Sequence, residues 1–186
     1  MIYDLPTSLE VNGRTYDIRS DFRDVLTILT AFEDPDLEPR EKAYVCLTVL
    51  YRDAEEIPPE DLQEAYAQAL AFIDNGAKKN PRGSARTIAW EQDAAIMFPA
   101  VNRAAGFEVR SVEYIHWWTF MGYFMEIKDS LYAHVLSIRH KKAKGKHLEK
   151  WEKDFWAQNA DICVIRPKLT EEEIEEKRRL EALLGQ

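Results

Sequence analysis

The sequence predicts a mainly α-helical fold, a multi-helix bundle with a short N-terminal β-hairpin. Three observations predict it. Apolar residues recur at helical spacing along most of the chain, which is typical of helices that bury one face. An Asn-Gly pair near the start lies between two short β-prone runs. Residues 112–127, VEYIHWWTFMGYFMEI, are apolar or aromatic at nearly every position.

Residues 112–127 are predicted to form the central helix of the bundle, because a helix that is apolar on all sides must be buried. A membrane span needs roughly 18 or more apolar residues. This stretch is shorter, and charged residues bound it closely, so we expect no membrane association. Helical spacing puts six residues on its predicted buried face: Tyr114, Trp117, Trp118, Met121, Phe124 and Met125.

Composition predicts one ordinary globular domain in a cytosolic setting. The chain has 186 residues, 46% hydrophobic and 31% charged. Its formal net charge of −8 argues against a general nucleic-acid binder, because such binding depends on attraction to phosphates. Cys46 and Cys163 are far apart in sequence and are predicted to be reduced thiols. The first residues do not have the pattern of a signal peptide.

The N-terminal half is predicted to contain a hairpin and three helices. Asn12-Gly13 favours a type I′ turn, in which both residues take positive φ. Ser20-Asp21 has the chemistry of a helix N-cap, and that first helix should end near Asp34. Prolines suit the first turn of a helix, so we expect the next two helices to begin at Pro39 and Pro59. The third should stop at Asn75-Gly76.

The C-terminal half is predicted to follow a basic, Gly- and Pro-containing loop over residues 77–84. A fourth helix is expected over residues 85–105, with a kink or break near Phe98 because Pro99 removes a backbone donor. The central helix should then begin at Ser111 or Glu113, and further helices should start near Leu131 and after Gly145. Residues 162–165 form a short apolar run for which an edge strand is the minor alternative.

These elements predict one mostly helical domain over residues 1–168, with halves at 1–76 and 85–168. A charged C-terminal helix is expected over residues 169–186. Thr170 and Glu173 have the spacing of a capping box at its start. Its apolar face is thin, so it either projects into solvent or awaits a partner.

Enzymatic and metal-binding patterns are weak. Glu113 and His116 have the ExxH spacing of di-iron bundles, but such sites need a second ExxH, and the chain contains none. His134, His140 and His147 do not stack on one helical face. No GxSxG nucleophile motif and no glycine-rich phosphate loop is present. We therefore predict no enzyme activity, no catalytic residue, no metal site and no cofactor.

Residues 139–153 are the one basic block in this acidic chain, and Trp151 and Trp156 lie at its edge. A basic segment with aromatic residues is typical of single-stranded nucleic-acid binding, which the net charge of the chain opposes. The block could instead dock on an acidic protein surface or be a solvated loop. The favoured use is docking on an acidic protein surface.

Four segments together resemble a family of small proteins encoded in the tail-gene cluster of long-tailed phages and prophages of Gram-positive bacteria. They are the opening hairpin with DFRDVLTIL, the segment WEQDAAIMFPAVNRAAGFEV, the helix YIHWWTFMGYF, and LSIRHKKAKGKHLEKWEKDFW. The resemblance spans residues 9 to 156. Trp117, Trp118 and Arg139 match its most recognisable positions, and Trp90 and Asp93 match it too. We add Lys141 and Lys142 as candidate partner-binding residues.

The resemblance implies a tail-assembly chaperone. Such a protein would coat the tape-measure protein in the host bacterial cytoplasm and help recruit the major tail protein. A helical phage or bacterial adaptor with another partner is the alternative, and a nucleic-acid binder or metalloprotein ranks below it. Self-association is compatible with the sequence.

Overall fold

The computed structural model describes residues 4–75 and 86–184. It begins with the antiparallel hairpin of β1 (Ser8–Val11) and β2 (Arg14–Asp17). Asn12 has a φ of 47° and Gly13 a φ of 82°, so both turn residues have the positive φ that a type I′ turn requires. The predicted hairpin is confirmed. The predicted loop over residues 77–84 lies outside the described residues.

The N-terminal helices are α1 (Phe22–Phe32), α2 (Pro39–Leu50) and α3 (Leu62–Ile73). Asp21 caps α1 by accepting a hydrogen bond from the backbone N–H of Arg23. Pro39 begins α2 as predicted. Pro59 begins a short 3₁₀ helix, Pro59–Asp61, and α3 proper starts directly after it. The local capping signals therefore placed these helices to within a turn.

The fourth helix, α4 (Ala94–Ala105), differs from the prediction in two ways. It starts nine residues later than expected, because the Asp93 carboxylate binds the backbone N–H of Ala89 and holds the preceding residues in a turn. The prediction near Phe98 was a kink or a break, and there is no break, since α4 continues through Pro99. Pro99 has no N–H to donate to the carbonyl of Ala95, four residues earlier. Both residues are exposed, so water can hydrate that carbonyl instead.

The central helix, α5 (Trp117–Met125), is shorter than predicted. Residues 112–116 are not helical, because the backbone there pairs with the segment before α1. The N–H of Phe22 donates to the carbonyl of Ile115, and the N–H of Trp117 donates to the carbonyl of Ser20. Trp117 is buried as predicted, whereas Tyr114 and Met125 are 53% and 60% exposed. Placing the last two on the buried face was wrong.

The chain continues with α6 (Leu131–Ala143), α7 (Lys150–Gln158), α8 (Ala160–Cys163) and α9 (Glu171–Leu184). The alternative of a strand over residues 162–165 is wrong, because that run starts inside α8. The capping box of α9 is confirmed. Thr170 accepts a hydrogen bond from the N–H of Glu173, and the Glu173 carboxylate accepts one from the N–H of Thr170.

The hydrophobic core draws on both halves of the chain. One cluster joins Phe22 of α1, Phe72 of α3 and Phe120 of α5, and Phe22 stacks on Phe120 with ring centroids 4.6 Å apart. The mainly α-helical prediction is confirmed. Over residues 4–75 and 86–184, no helix combines the length and the apolar character needed to cross a membrane.

Candidate partner-binding groove

The two central tryptophans tie α5 to the end of α3. The indole N–H of Trp117 donates to the carbonyl of Ile73, and that of Trp118 donates to the carbonyl of Phe72, both at 2.9 Å. Both carbonyls belong to the last turn of α3, and that of Phe72 also accepts from the backbone N–H of Asn75. Trp90 packs edge-on against Trp117, with ring centroids 6.2 Å apart. Trp117 and Trp118 therefore hold the two halves of the chain together, and Trp90 packs on Trp117 within the C-terminal half.

Asp93 and Arg139 form a buried ion pair between the start of α4 and the middle of α6. Two guanidinium nitrogens of Arg139 donate to the two carboxylate oxygens of Asp93, at 2.7 and 2.8 Å. Arg139 also donates to the carbonyls of Thr87, Ile162 and Cys163. The side chain of Arg139 is 3% exposed and that of Asp93 is 1% exposed. Such bidentate, fully hydrogen-bonded geometry is what compensates the loss of hydration of two charges.

The two candidate lysines are also engaged within the chain. Lys141 on α6 donates to the buried carboxylate of Glu152 on α7 at 2.6 Å. This bond lowers the pKa of Glu152, and a hydrogen bond from the N–H of Glu149 lowers it further. The ammonium of Lys142 lies 4.0 Å from the ring centre of Trp156, a cation–π contact. The basic block therefore contributes to the packing of α6 against α7.

Five of the predicted positions thus lie in two internal clusters, and the two lysines lie at the contact between α6 and α7. Trp90, Trp117 and Trp118 gather at the end of α3, whereas Asp93 and Arg139 join α4 to α6. Their contacts give them structural roles within the chain. Direct partner binding by these residues stays a prediction.

A large open groove lies between α2 and α3. Its volume is about 1380 Å³. Leu47 and Ile57 form its buried floor, while Tyr44, Leu62 and Tyr66 contribute apolar surface nearer to solvent. Tyr44 is 69% exposed and Leu62 is 38% exposed. An exposed apolar surface of this kind in a groove is typical of a site for a protein segment.

Arginines dominate the charge around this groove. Among the described residues that line it, there are three arginines, Arg19, Arg40 and Arg52, against one glutamate, Glu55. One guanidinium nitrogen of Arg19 donates to the carbonyls of Thr48, Val49 and Tyr51, so this side chain caps the end of α2. Arg40 and Arg52 are exposed. The groove therefore combines an apolar floor with a cationic rim on a chain whose net charge is −8.

Comparison with known protein families identifies the family of the chain. A family model described as Bacteriophage Gp15 protein matches residues 1–162. The chain belongs to this bacteriophage family. The sequence-based resemblance to a phage family is thereby confirmed. Neither the curated proteins nor the solved structures contain a significant match.

The ExxH spacing in this Gp15-family chain does not produce a metal-site geometry. His116 is buried, and its Nδ1 accepts a hydrogen bond from the N–H of Trp118, so it caps α5. Its Nε2 lies 2.9 Å from the carbonyl of Pro6, which fixes Nε2 as the donor because a carbonyl only accepts. Glu113 is exposed and precedes α5. Across the described residues, no group of three or more metal-ligating side chains is assembled.

Two histidines of the C-terminal half, His134 and His147, take part in contacts with α7. His134 contacts the rings of Trp151 and Phe155, with centroids 5.9 and 6.3 Å away. His147 lies near the ammonium of Lys153. These contacts belong to the packing of α6 and α7 in the Gp15-family chain.

Sequence reasoning missed the groove because its residues look like ordinary core positions. Leu47, Leu62 and Tyr66 fit the apolar stripes of α2 and α3, and the stripes predict burial for all of them. The one available signal was Tyr44, a large aromatic residue off the main stripe of α2 and three positions before Leu47. A second apolar flank on a helix already buried on one side indicates a second contact surface.

Proposed function

We propose that this Gp15-family protein is a phage tail-assembly chaperone. In the host bacterial cytoplasm it binds the tape-measure protein while the tail is built, and it helps to recruit the major tail protein. The single observation that carries this proposal is the open apolar groove between α2 and α3 in a chain of a phage family.

The groove fits what such a chaperone has to do. A tape-measure protein is a long chain rich in amphipathic helices, and its apolar faces must be covered until the tail tube surrounds them. Amphipathic helices bind in apolar grooves through side chains at i, i+3 or i+4, and i+7. Many copies along one tape-measure chain would bind by avidity, so each contact can be weak and easily released.

Co-expression with the tape-measure protein of the same phage tests the proposal. We expect the tape-measure protein to be insoluble alone, to become soluble with this chain, and to copurify with it. An acidic helical protein of similar size is the control, because it shares the net charge but not the groove. Failure of the chain to associate with either the tape-measure protein or the major tail protein would contradict the proposal.

A further inference from the structure

We propose that the groove between α2 and α3 selects amphipathic helices whose apolar face is bordered by acidic residues. The proposal rests on the proposed function and names the class of tape-measure segment that the groove binds.

The size of the groove indicates a peptide rather than a small molecule. Pockets for small ligands usually measure about 300–1000 Å³, whereas this groove measures about 1380 Å³. Lining residues on α2 run from Arg40 to Thr48. At about 1.5 Å per residue, that length of helix surface is roughly 12 Å, or about two helical turns. Two turns present apolar side chains at i, i+3 or i+4, and i+7, so the floor matches one such set.

The apolar part of the site is preformed. Tyr44 on α2 and Leu62 at the start of α3 expose apolar surface on either side of the floor. Tyr51 fixes the spacing of the two helices, because its buried hydroxyl donates to the carbonyl of Ala65 on α3 at 2.8 Å. A rigid groove loses little conformational freedom when it binds, and that favours affinity.

Charge complementarity identifies the kind of helix. Arg40 lies on the first turn of α2, and Arg52 follows its C-terminus, so cations lie at both ends of the groove. Within residues 4–75 and 86–184, the Arg40 side chain forms neither a hydrogen bond nor an ion pair, and it is therefore free to pair with a ligand. Because the net charge of the chain is −8, an acidic helix gains an attraction at these arginines that the net charge of the chain opposes.

Two designed peptides test the selectivity. Both are about 18 residues long, or five turns. Both carry leucines at i, i+3 or i+4, and i+7, and their flanks are either all Glu or all Lys. We expect the full-length chain to bind the Glu peptide at least about tenfold more tightly than the Lys peptide, which corresponds to about 1.4 kcal/mol. Added salt should reduce that difference. Equal affinities would overturn the proposal.

Charge reversal locates the site. The double variant Arg40→Glu/Arg52→Glu should reverse the preference and bind the Lys peptide more tightly. Both residues are exposed, so this variant should keep the helical circular dichroism of the wild type. Lys144→Glu/Lys146→Glu is the matched control, because it makes the same change in net charge on exposed residues of the basic block. If the control loses the Glu peptide and the groove variant keeps it, the basic block is the site and the proposal fails.

An apolar variant provides an independent measurement. Tyr44→Ala removes exposed surface from the groove without touching the core, and it should weaken binding of the Glu peptide about tenfold or more. Unchanged binding would contradict the proposal. Arg19 is left intact in all variants, because it caps α2.

Capture of the tape-measure protein separates this inference from the proposed function. If the wild type captures it and Arg40→Glu/Arg52→Glu captures it equally well, the groove is not the site and the chaperone function stands. If the wild type captures nothing while the Glu peptide still binds, the function fails and the selectivity of the groove stands.

Sedimentation tests whether a second copy of this chain occupies the groove instead. A wild-type dimer that dissociates in the groove variant would mean that a second copy fills the groove, which overturns the proposal.

Discussion

At the scale of single residues, the buried pair of Asp93 and Arg139 is held by several hydrogen bonds. Every oxygen of the carboxylate accepts from the guanidinium, and one of them also accepts from the N–H of Ala89. The same guanidinium donates to carbonyls before α4 and at the end of α8. One side chain thus joins three segments that are far apart in sequence, and neither partner of the pair can be removed alone without leaving a buried charge.

Removing one partner of this pair should be strongly destabilising. We expect Asp93→Ala to lower the free energy of unfolding by about 3–5 kcal/mol, because the Arg139 charge stays buried without its counter-ion. Urea denaturation followed by circular dichroism measures the change. The exposed pair of Lys128 and Glu126 is the matched control, and Lys128→Ala should cost less than about 1 kcal/mol. Equal costs for both variants would contradict a structural role of the buried pair.

At the scale of secondary-structure elements, the ends of helices depend on specific caps. Ser130 caps α6 through its hydroxyl, and His116 caps α5 through Nδ1. Gly106 ends α4 with a left-handed φ of 82°, which other residues rarely adopt. Gly122, in contrast, lies inside α5. Its greater conformational freedom in the unfolded chain lowers the free energy of unfolding there. The two glycines therefore have opposite effects on stability.

Alanine substitution at these two glycines should change stability in opposite directions. A Cβ at either position meets no heavy atom within 4 Å, so only the backbone decides the sign. Gly106→Ala should lower the free energy of unfolding by about 1 kcal/mol, because alanine is strained at positive φ. Gly122→Ala should raise it by about 0.5–1 kcal/mol through helix propensity. Thermal denaturation compares both with the wild type, and a gain in stability from Gly106→Ala would rule out the left-handed cap.

The contact between α6 and α7 should depend on pH. Hydrogen bonds from Lys141 and Glu149 lower the pKa of Glu152 below its value in the unfolded chain. The contribution of Glu152 is therefore complete above the ordinary glutamate pKa, about 4.3, and is lost as the pH falls through the lower, folded-state value. Glu152→Gln should remove this contribution and so flatten the loss of stability in acid.

The control for this pH dependence is Glu33→Gln, because burial raises the pKa of Glu33. A group with a raised folded-state pKa contributes stability at low pH that is lost as the pH rises, which is the opposite sign. Urea denaturation at several pH values between about 3 and 6 measures both variants. If Glu152→Gln shows the same acid dependence as the wild type, Glu152 is not the group responsible.

At the scale of the whole molecule, the two halves of the chain share one core. Trp117 and Trp118 donate to carbonyls at the end of α3, and the segment before α1 pairs with the segment before α5. Phe98 of α4 packs edge-on against Phe22 of α1. Neither half can therefore lose its packing without exposing core surface of the other.

This shared core predicts a single cooperative unfolding transition. Trp117 and Trp118 bind the end of α3, so the fluorescence of the five tryptophans includes the contact between the halves, whereas circular dichroism reports all helices. We expect the two signals to change together in urea, as in a two-state transition. Two separate transitions would show that the halves fold as independent units and would contradict the prediction of one domain.

The sequence by itself determined the local features of this protein. Asn12-Gly13 defined the hairpin turn, Asp21 and Pro39 defined helix starts, and Thr170 with Glu173 defined the cap of the last helix. Each of these signals acts within about one turn of backbone, so it is readable from neighbouring residues. The resemblance to a phage family was also readable, because its motifs are continuous stretches of sequence.

The tertiary structure alone decided which residues meet and which faces stay uncovered. Asp93 and Arg139 are 46 positions apart, and no local pattern pairs them. Residues 112–116 have helical periodicity but are not helical, since the carbonyl of Ile115 accepts from the N–H of Phe22 and the N–H of Trp117 donates to the carbonyl of Ser20. Periodicity shows that a helix has an apolar face, but only packing determines whether another element covers it. The groove exists because nothing in the described chain covers Tyr44 and Leu62.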